Sequence, residues 1–167
     1  TFQRLPDGSN GTVSLTAASA YGPARARSAF RFPRGGVDLT DLSVDAGGIK
    51  ADGSLSLRRS SPSAADLTVA ITKGALIDAG RIAGMARIAD AAGGPRAVLD
   101  LSGQGVRFAG STITLSTARV AANGPVARLP FTTEARGASG QGPWTVAGRG
   151  VLNEADPGYL VTFAGKG

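Results

Sequence analysis

Histidine and cysteine, the side chains most often recruited as bases, nucleophiles and metal ligands, are both absent from the 167 residues. Triads, thiolate dyads and His-based metal sites are therefore excluded, and catalysis would fall to carboxylates, Lys, Tyr or Ser. Asp38, Asp41 and Asp45 make the densest acidic cluster. Along an extended chain Asp38 and Asp41 point to opposite faces, and no Asp-Gly loop repeat brings oxygen ligands together as calcium requires, so the cluster reads as polar decoration of a strand. Glu134 and Glu154 are the only glutamates. A glycosidase needs two carboxylates about 5 to 10 Å apart, and there is no aromatic sugar platform beside either. Gly103-Gln104-Gly105 lacks the third glycine of a dinucleotide loop, and Gly165-Lys166-Gly167 lacks the upstream glycine and following hydroxyl of a phosphate loop. Trp144, after Gly142-Pro143, reads as packing in a strand rather than as a ligand anchor. The sequence predicts no enzyme, no catalytic residue, no metal and no cofactor.

Charge points next to polyanions, since 18 Lys and Arg face 12 Asp and Glu for a net charge of +6. The arginines are nevertheless scattered from Arg4 to Arg149, with Arg58-Arg59 the one adjacent pair and no basic run or stacking platform. They read as solvated residues on outward strand faces, and no nucleic-acid partner is expected. The stretch 74–94 is weakly polar but carries Asp78, Arg81, Arg87 and Asp90, too many charges for a lipid-exposed span of about 20 residues.

The elements that position these residues are strands. Apolar residues alternate with polar ones in short runs bounded by turn residues, among them 25 Gly and 9 Pro. In the clearest run Ile49, Ala51, Leu55 and Leu57 share one face while Lys50, Asp52, Ser54 and Ser56 share the other. Leu67, Val69 and Ile71 repeat the pattern, as do Ile113 and Leu115, Leu129 and Phe131, Trp144 and Val146, and Val161 and Phe163. Between Val37 and Val44 the apolar phase moves from odd to even positions, which predicts a bulge or short turn near Thr40-Asp41. Asn10-Gly11 and Asn123-Gly124 predict type I′ hairpins, and Asp52-Gly53 a hairpin or a bulge. Over 76–91, Ile82, Met85, Ala86 and Ala89 recur at helical spacing and predict one short helix, ended by Gly93-Gly94-Pro95. The expectation is an all-β, mainly antiparallel chain, 1–167 forming a single β-rich segment excised from a longer repetitive protein, its cut terminal strand edges open to pairing in a dimer.

Such a sheet has one apolar face that needs a cover, either a second sheet or an apolar ligand. The stretch from Gly36 to Arg59 (Gly-Val-Asp-Leu-Thr-Asp-Leu-Ser-Val-Asp-Ala-Gly-Gly-Ile-Lys-Ala-Asp-Gly-Ser-Leu-Ser-Leu-Arg-Arg), then Ala65-Asp-Leu-Thr-Val-Ala-Ile-Thr-Lys-Gly, resembles the AsmA-like proteins of diderm bacteria, especially the YdbH and TamB branches. Gly105-Val-Arg-Phe-Ala-Gly-Ser-Thr-Ile-Thr-Leu and Gly124-Pro-Val-Ala-Arg-Leu-Pro-Phe follow the same strand-Gly-strand idiom. The resemblance implies a periplasmic protein anchored in the inner membrane, whose repeated strands curl into a taco-shaped sheet. Phospholipid would move along its hydrophobic groove between inner and outer membranes, with envelope proteins of both membranes as partners. The expected groove lining, taken from alternation, is Val37, Leu39, Ile49, Leu55, Leu57, Leu67, Val69, Ile71, Ile113, Leu115, Leu129, Phe131, Val146, Val161 and Phe163. The competing expectation is a structural or adhesive β-repeat of a surface protein, such as a β-solenoid, with a closed core and regular coils.

Overall fold

The computed structural model describes residues 2–5, 8–33, 35–59, 64–139, 141–153 and 159–166. They form twelve strands: β1 (Phe2–Leu5), β2 (Gly8–Ser19), β3 (Gly22–Arg31), β4 (Gly36–Ala46), β5 (Ile49–Arg58), β6 (Ala64–Ile71), β7 (Ile77–Ala89), β8 (Arg96–Phe108), β9 (Thr114–Pro125), β10 (Arg128–Ser139), β11 (Gly142–Asn153) and β12 (Tyr159–Lys166). All pair antiparallel and in chain order within one sheet. The chain is an open all-β meander, and a solenoid of parallel coils is a different architecture. Among the described residues substantial packing runs only between strands adjacent in sequence, and none of them forms a second layer on the sheet.

The surface area reflects this. The chain exposes 11081 Å², against about 7,600 Å² for a compact monomer of its mass. Among the described residues only Ile77, Ala97, Val106 and Ala122 are buried hydrophobic side chains. Cohesion comes from ladder hydrogen bonds and cross-strand side-chain pairs rather than from a two-layer core.

Two irregularities shape the sheet. In β4 one extra residue separates the pairs Leu39↔Leu55 and Leu42↔Gly53, and Asp41 there takes φ 52. This is the bulge expected at Thr40-Asp41. Ser28, 5% exposed, donates its Oγ hydrogen to the Thr40 carbonyl at 2.8 Å or the Ala29 carbonyl at the same length, so the disrupted ladder leaves this polar group satisfied. Asp52-Gly53 lies inside β5, with Gly53 facing that bulge rather than forming a turn.

The second irregularity is a crease. Gly80 of β7 and Gly105 of β8 have φ 83 and 59, and the β7–β8 register slips beside them. At the same level, flanked by Gln104↔Thr117 and Arg136↔Thr117, the β9–β10 register slips at Arg136/Gly137. The Gly105 bulge returns Val106 to the side on which Gly103 sits, with Val106 Cγ2 only 2.9 Å and Ile82 Cγ1 3.3 Å from where a Gly103 Cβ would stand. Val106 and Ile77, both 0% exposed, are the largest fully buried side chains among the described residues.

Three local expectations are corrected. The segment 76–91 is not a helix but contains strand β7 (Ile77–Ala89). Ile82, Gly84, Ala86 and Ile88 also alternate, Gly80 and Gly84 each cost a helix about 1 kcal/mol, and pairing with β6 and β8 decides between the two periods. Asn10-Gly11 and Asn123-Gly124 are not hairpin turns; they lie inside β2 and β9. Gly11 pairs with Phe30, a small residue directly opposite a ring, and in register with Phe2 of β1. The two-residue I′ turn is instead Gly47-Gly48, with φ 58 and 91 between the paired Ala46 and Ile49.

Candidate functional site

Register determines what each side of the sheet presents, because directly paired residues share a face. One row reads, from β2 to β12, Leu15, Ala26, Val44, Ala51, Val69, Gly84, Leu101, Val120, Thr133, Gly148 and Phe163. Beside it on the same face runs Ala24, Ala46, Ile49, Ile71, Ile82, Gly103, Ala118, Ala135 and Val146. On its other side run Gly53, Leu67, Ala86, Leu99, Ala122, Phe131 and Gly150. A fourth row holds Phe30, Leu39, Leu55, Ala65, Ile88, Ala97 and Gly124. None of these rows contains a charged residue.

The opposite face is built from the intervening positions and is ionic. Its central row reads Thr16, Arg25, Asp45, Lys50, Ala70, Ala83, Ser102, Arg119, Glu134 and Ala147. Cross-strand ion pairs join Lys50 to Asp45 at 3.6 Å, Arg87 to Asp66 at 2.7 Å, Arg119 to Asp100 at 2.9 Å and Arg58 to Asp38 at 2.6 Å. The first three are well exposed and contribute little each. Asp38 is better shielded: a hydrogen bond from Ser56 Oγ at 2.8 Å and then Arg58 hold its carboxyl below the ordinary carboxylate range. The hydrogen-bonded Asp100 carboxylate likewise raises the Arg119 pKa. Asp38 and Asp45 are thus each engaged by a cation, Asp41 sits in the bulge, and no group of three or more potential metal ligands converges among the described residues.

Of the fifteen sequence-derived lining positions, Val37, Leu39, Ile49, Leu55, Leu57, Leu67, Val69, Ile71, Leu129, Phe131 and Val146 share the uncharged face by register. Leu115 joins it beyond the crease, opposite Val106 and Gly137. Ile113 does not: it lies in the β8–β9 connection, 52% exposed, because β9 begins only at Thr114. Val161 and Phe163 pair with Gly150 and Gly148 and so fall on the same register rows, while their side chains, and Glu154, lie outside the described residues.

Alternation by itself missed the small residues that complete the face. Gly137 pairs with Trp144, whose ring lies on it with Cε2 2.7 Å from where a Cβ would be, and Gly150 pairs with Phe131. A glycine opposite an aromatic is the signal that would have found them. The side chains of the central apolar rows, Leu67, Val69, Leu101 and Val120 among them, are partly exposed rather than buried. The sheet thus has an extended apolar surface accessible to solvent and an ion-paired back.

The fold and this face define a class, an open antiparallel β-sheet with one continuous apolar side. No protein-family model matches the chain, and no curated protein or solved structure matches it either.

Proposed function

We propose that this chain is a lipid-conducting segment of a bridge-like, AsmA-type transport protein. Its apolar face carries phospholipid acyl chains between the inner and outer membranes, and no chemical step is involved. In this reading the parent protein is periplasmic, anchored in the inner membrane, and meets envelope proteins at both ends. One observation carries it: four adjacent uncharged rows cross the sheet, and no described residue forms a layer over them.

Physical scale supports the same reading. Twelve strands at about 4.8 Å spacing span roughly 50 Å along the sheet, and a twisted sheet of more than about ten strands tends to curl. Strands of 10 to 13 residues are roughly 33 to 43 Å long, so each half of a curled strand matches an acyl chain occupying half of a hydrocarbon core about 30 Å thick. Dispersion and hydrophobic contacts are non-directional, so tails can slide along such a face without breaking specific bonds.

Trp144 is the single tryptophan and belongs to the apolar face. Its fluorescence is expected to be quenched when the chain is titrated with phospholipid brominated on the acyl chains, and Val120→Arg in the central row is expected to weaken that titration. Undiminished Trp144 emission at saturating lipid, or equal quenching with Val120→Arg, would refute the proposal.

A further inference from the structure

We infer that the crease is an end wall of the apolar face, and that an acyl tail on that face lies along the strands with its methyl end against Ile82, Leu115 and Trp144. The inference rests on the lipid-carrying reading and adds to it the direction in which each tail points.

On a straight strand Gly103 and Val106 would face opposite sides and stand about 10 Å apart. Instead Val106 Cγ2 comes within 2.9 Å of where a Gly103 Cβ would be, so at Gly105, φ 59, β8 turns up over its own apolar side. β7 turns with it at Gly80, φ 83, and Ile82 Cγ1 lies 3.3 Å from the same point. In β9 the extra residue at this level is Ser116, between the pairs Arg136↔Thr117 and Gly137↔Leu115. The row beyond the crease runs Val106, Leu115, Gly137 and Trp144, with Ile77 of β7 opposite Phe108. Ile77 and Val106 are 0% exposed although no described strand packs over the sheet, so the crease itself encloses them. They are the packed interior of the wall; Ile82, Leu115 and Trp144 are partly exposed on its surface.

This end of the face suits a hydrocarbon terminus and not a polar one. The row from Val106 to Trp144 carries no charged side chain. In the connections just beyond it and along the same rim, 20–21, 47–48, 72–76, 109–113 and 141, Lys73 is the one charged residue among the described residues. Backbone donors of this rim are already used: Gly74 N–H donates to the Ile77 carbonyl at 2.9 Å, Ala75 to Gly47 at 2.7 Å, Thr72 to Gly48 at 2.9 Å and Ala109 to Leu76 at 3.0 Å. An ester or phosphate pressed against the wall would give up water with no partner to replace it. A terminal methyl has no such loss and exchanges water for contact with Ile82 and Leu115. Away from the crease the face continues along the strands through Leu101, Leu99 and Phe131, which takes the rest of the tail, and the polar end of the lipid lies in that direction.

The test uses the whole chain and two phosphatidylcholines, one brominated near the methyl end of an acyl chain and one near its carboxyl end, each titrated to saturation. At Trp144, beside the wall, methyl-end bromine is expected to quench fluorescence more strongly than carboxyl-end bromine. Trp144→Phe/Phe131→Trp exchanges the two aromatics and moves the reporter about 20 Å along the strands, away from the crease. There the order is expected to reverse, with far-ultraviolet circular dichroism reporting that the variant is folded. Leu115→Lys gives the wall a cation and is expected to abolish the order at Trp144. Equal quenching of wild type by the two lipids, stronger quenching by carboxyl-end bromine, or the same order at both reporter positions overturns the inference. So does an order at Trp144 that Leu115→Lys leaves unchanged, since the wall would then not be what directs the tails. Absence of quenching by either lipid at either reporter removes the lipid-carrying reading itself, a result distinct from loss of the order.

Discussion

Leu67→Ala and Ile77→Ala delete apolar side-chain carbons at two sites that a two-layer protein would treat alike. Leu67 lies near the middle of the apolar face, paired with Gly53 and Ala86, and is partly exposed; Ile77 is 0% exposed beside the crease. Three methylene equivalents at about 0.8 kcal/mol each give an upper transfer cost near 2.4 kcal/mol for Leu67. Partial exposure reduces it to about 1 to 1.5 kcal/mol, and no cavity term is added because solvent or ligand fills the space above an uncovered face. Ile77 loses its transfer term and also leaves a void, for about 3 to 4 kcal/mol. Urea denaturation of the lipid-free chain, followed by far-ultraviolet circular dichroism, measures both. If Leu67→Ala costs as much as Ile77→Ala, the face is covered by protein and the reasoning fails.

Three further outcomes follow from local geometry. Asp41→Gly should leave stability unchanged or slightly raised, whereas Asp41→Val should lower it by about 1 to 2 kcal/mol, since a β-branched residue at φ 52 is strained; thermal denaturation of the two variants checks this. Asp38 has a depressed folded pKa, so its stabilisation is present above the ordinary carboxylate pKa and is lost as pH falls through the depressed value. Urea midpoints of wild type and Asp38→Asn should accordingly differ at neutral pH and converge in acid; a gap that persists below the carboxylate range would mean the carboxylate charge is not what stabilises. Gly137→Val should drive a side chain into the Trp144 ring, cost about 1 to 3 kcal/mol and shift Trp144 emission to the red, an outcome read directly by fluorescence.

The sequence carried the all-β class because period-2 alternation with frequent Gly and Pro has few other solutions. It also carried the Thr40-Asp41 bulge, since a change of apolar phase within one strand forces an extra residue. It misled at Ile82, Met85, Ala86 and Ala89, where Ala and Gly are apolar enough to satisfy either period and only pairing with β6 and β8 selects the strand. It misled again at Asn10-Gly11 and Asn123-Gly124, because a glycine that makes room for a neighbouring side chain has the same local signature as one that turns the chain: Gly11 faces Phe30, and a Cβ on Gly124 would meet the Pro130 ring at 2.6 Å.

If the proposal holds, acyl chains occupy the uncharged face and not the ionic one, and neighbouring residues of a single strand test it. Leu55 lies on the apolar face opposite Leu39 and Ala65, while Ser56 lies on the other and donates to Asp38. Photo-crosslinkable residues placed in turn at Leu55 and Ser56 of the protein in cells, followed by detection of covalently attached phospholipid, read the two faces within 4 Å of chain advance. Lipid adducts at Leu55 and none at Ser56 are expected. No adduct at Leu55, Leu115 or Phe131 in folded, abundant protein would contradict the account.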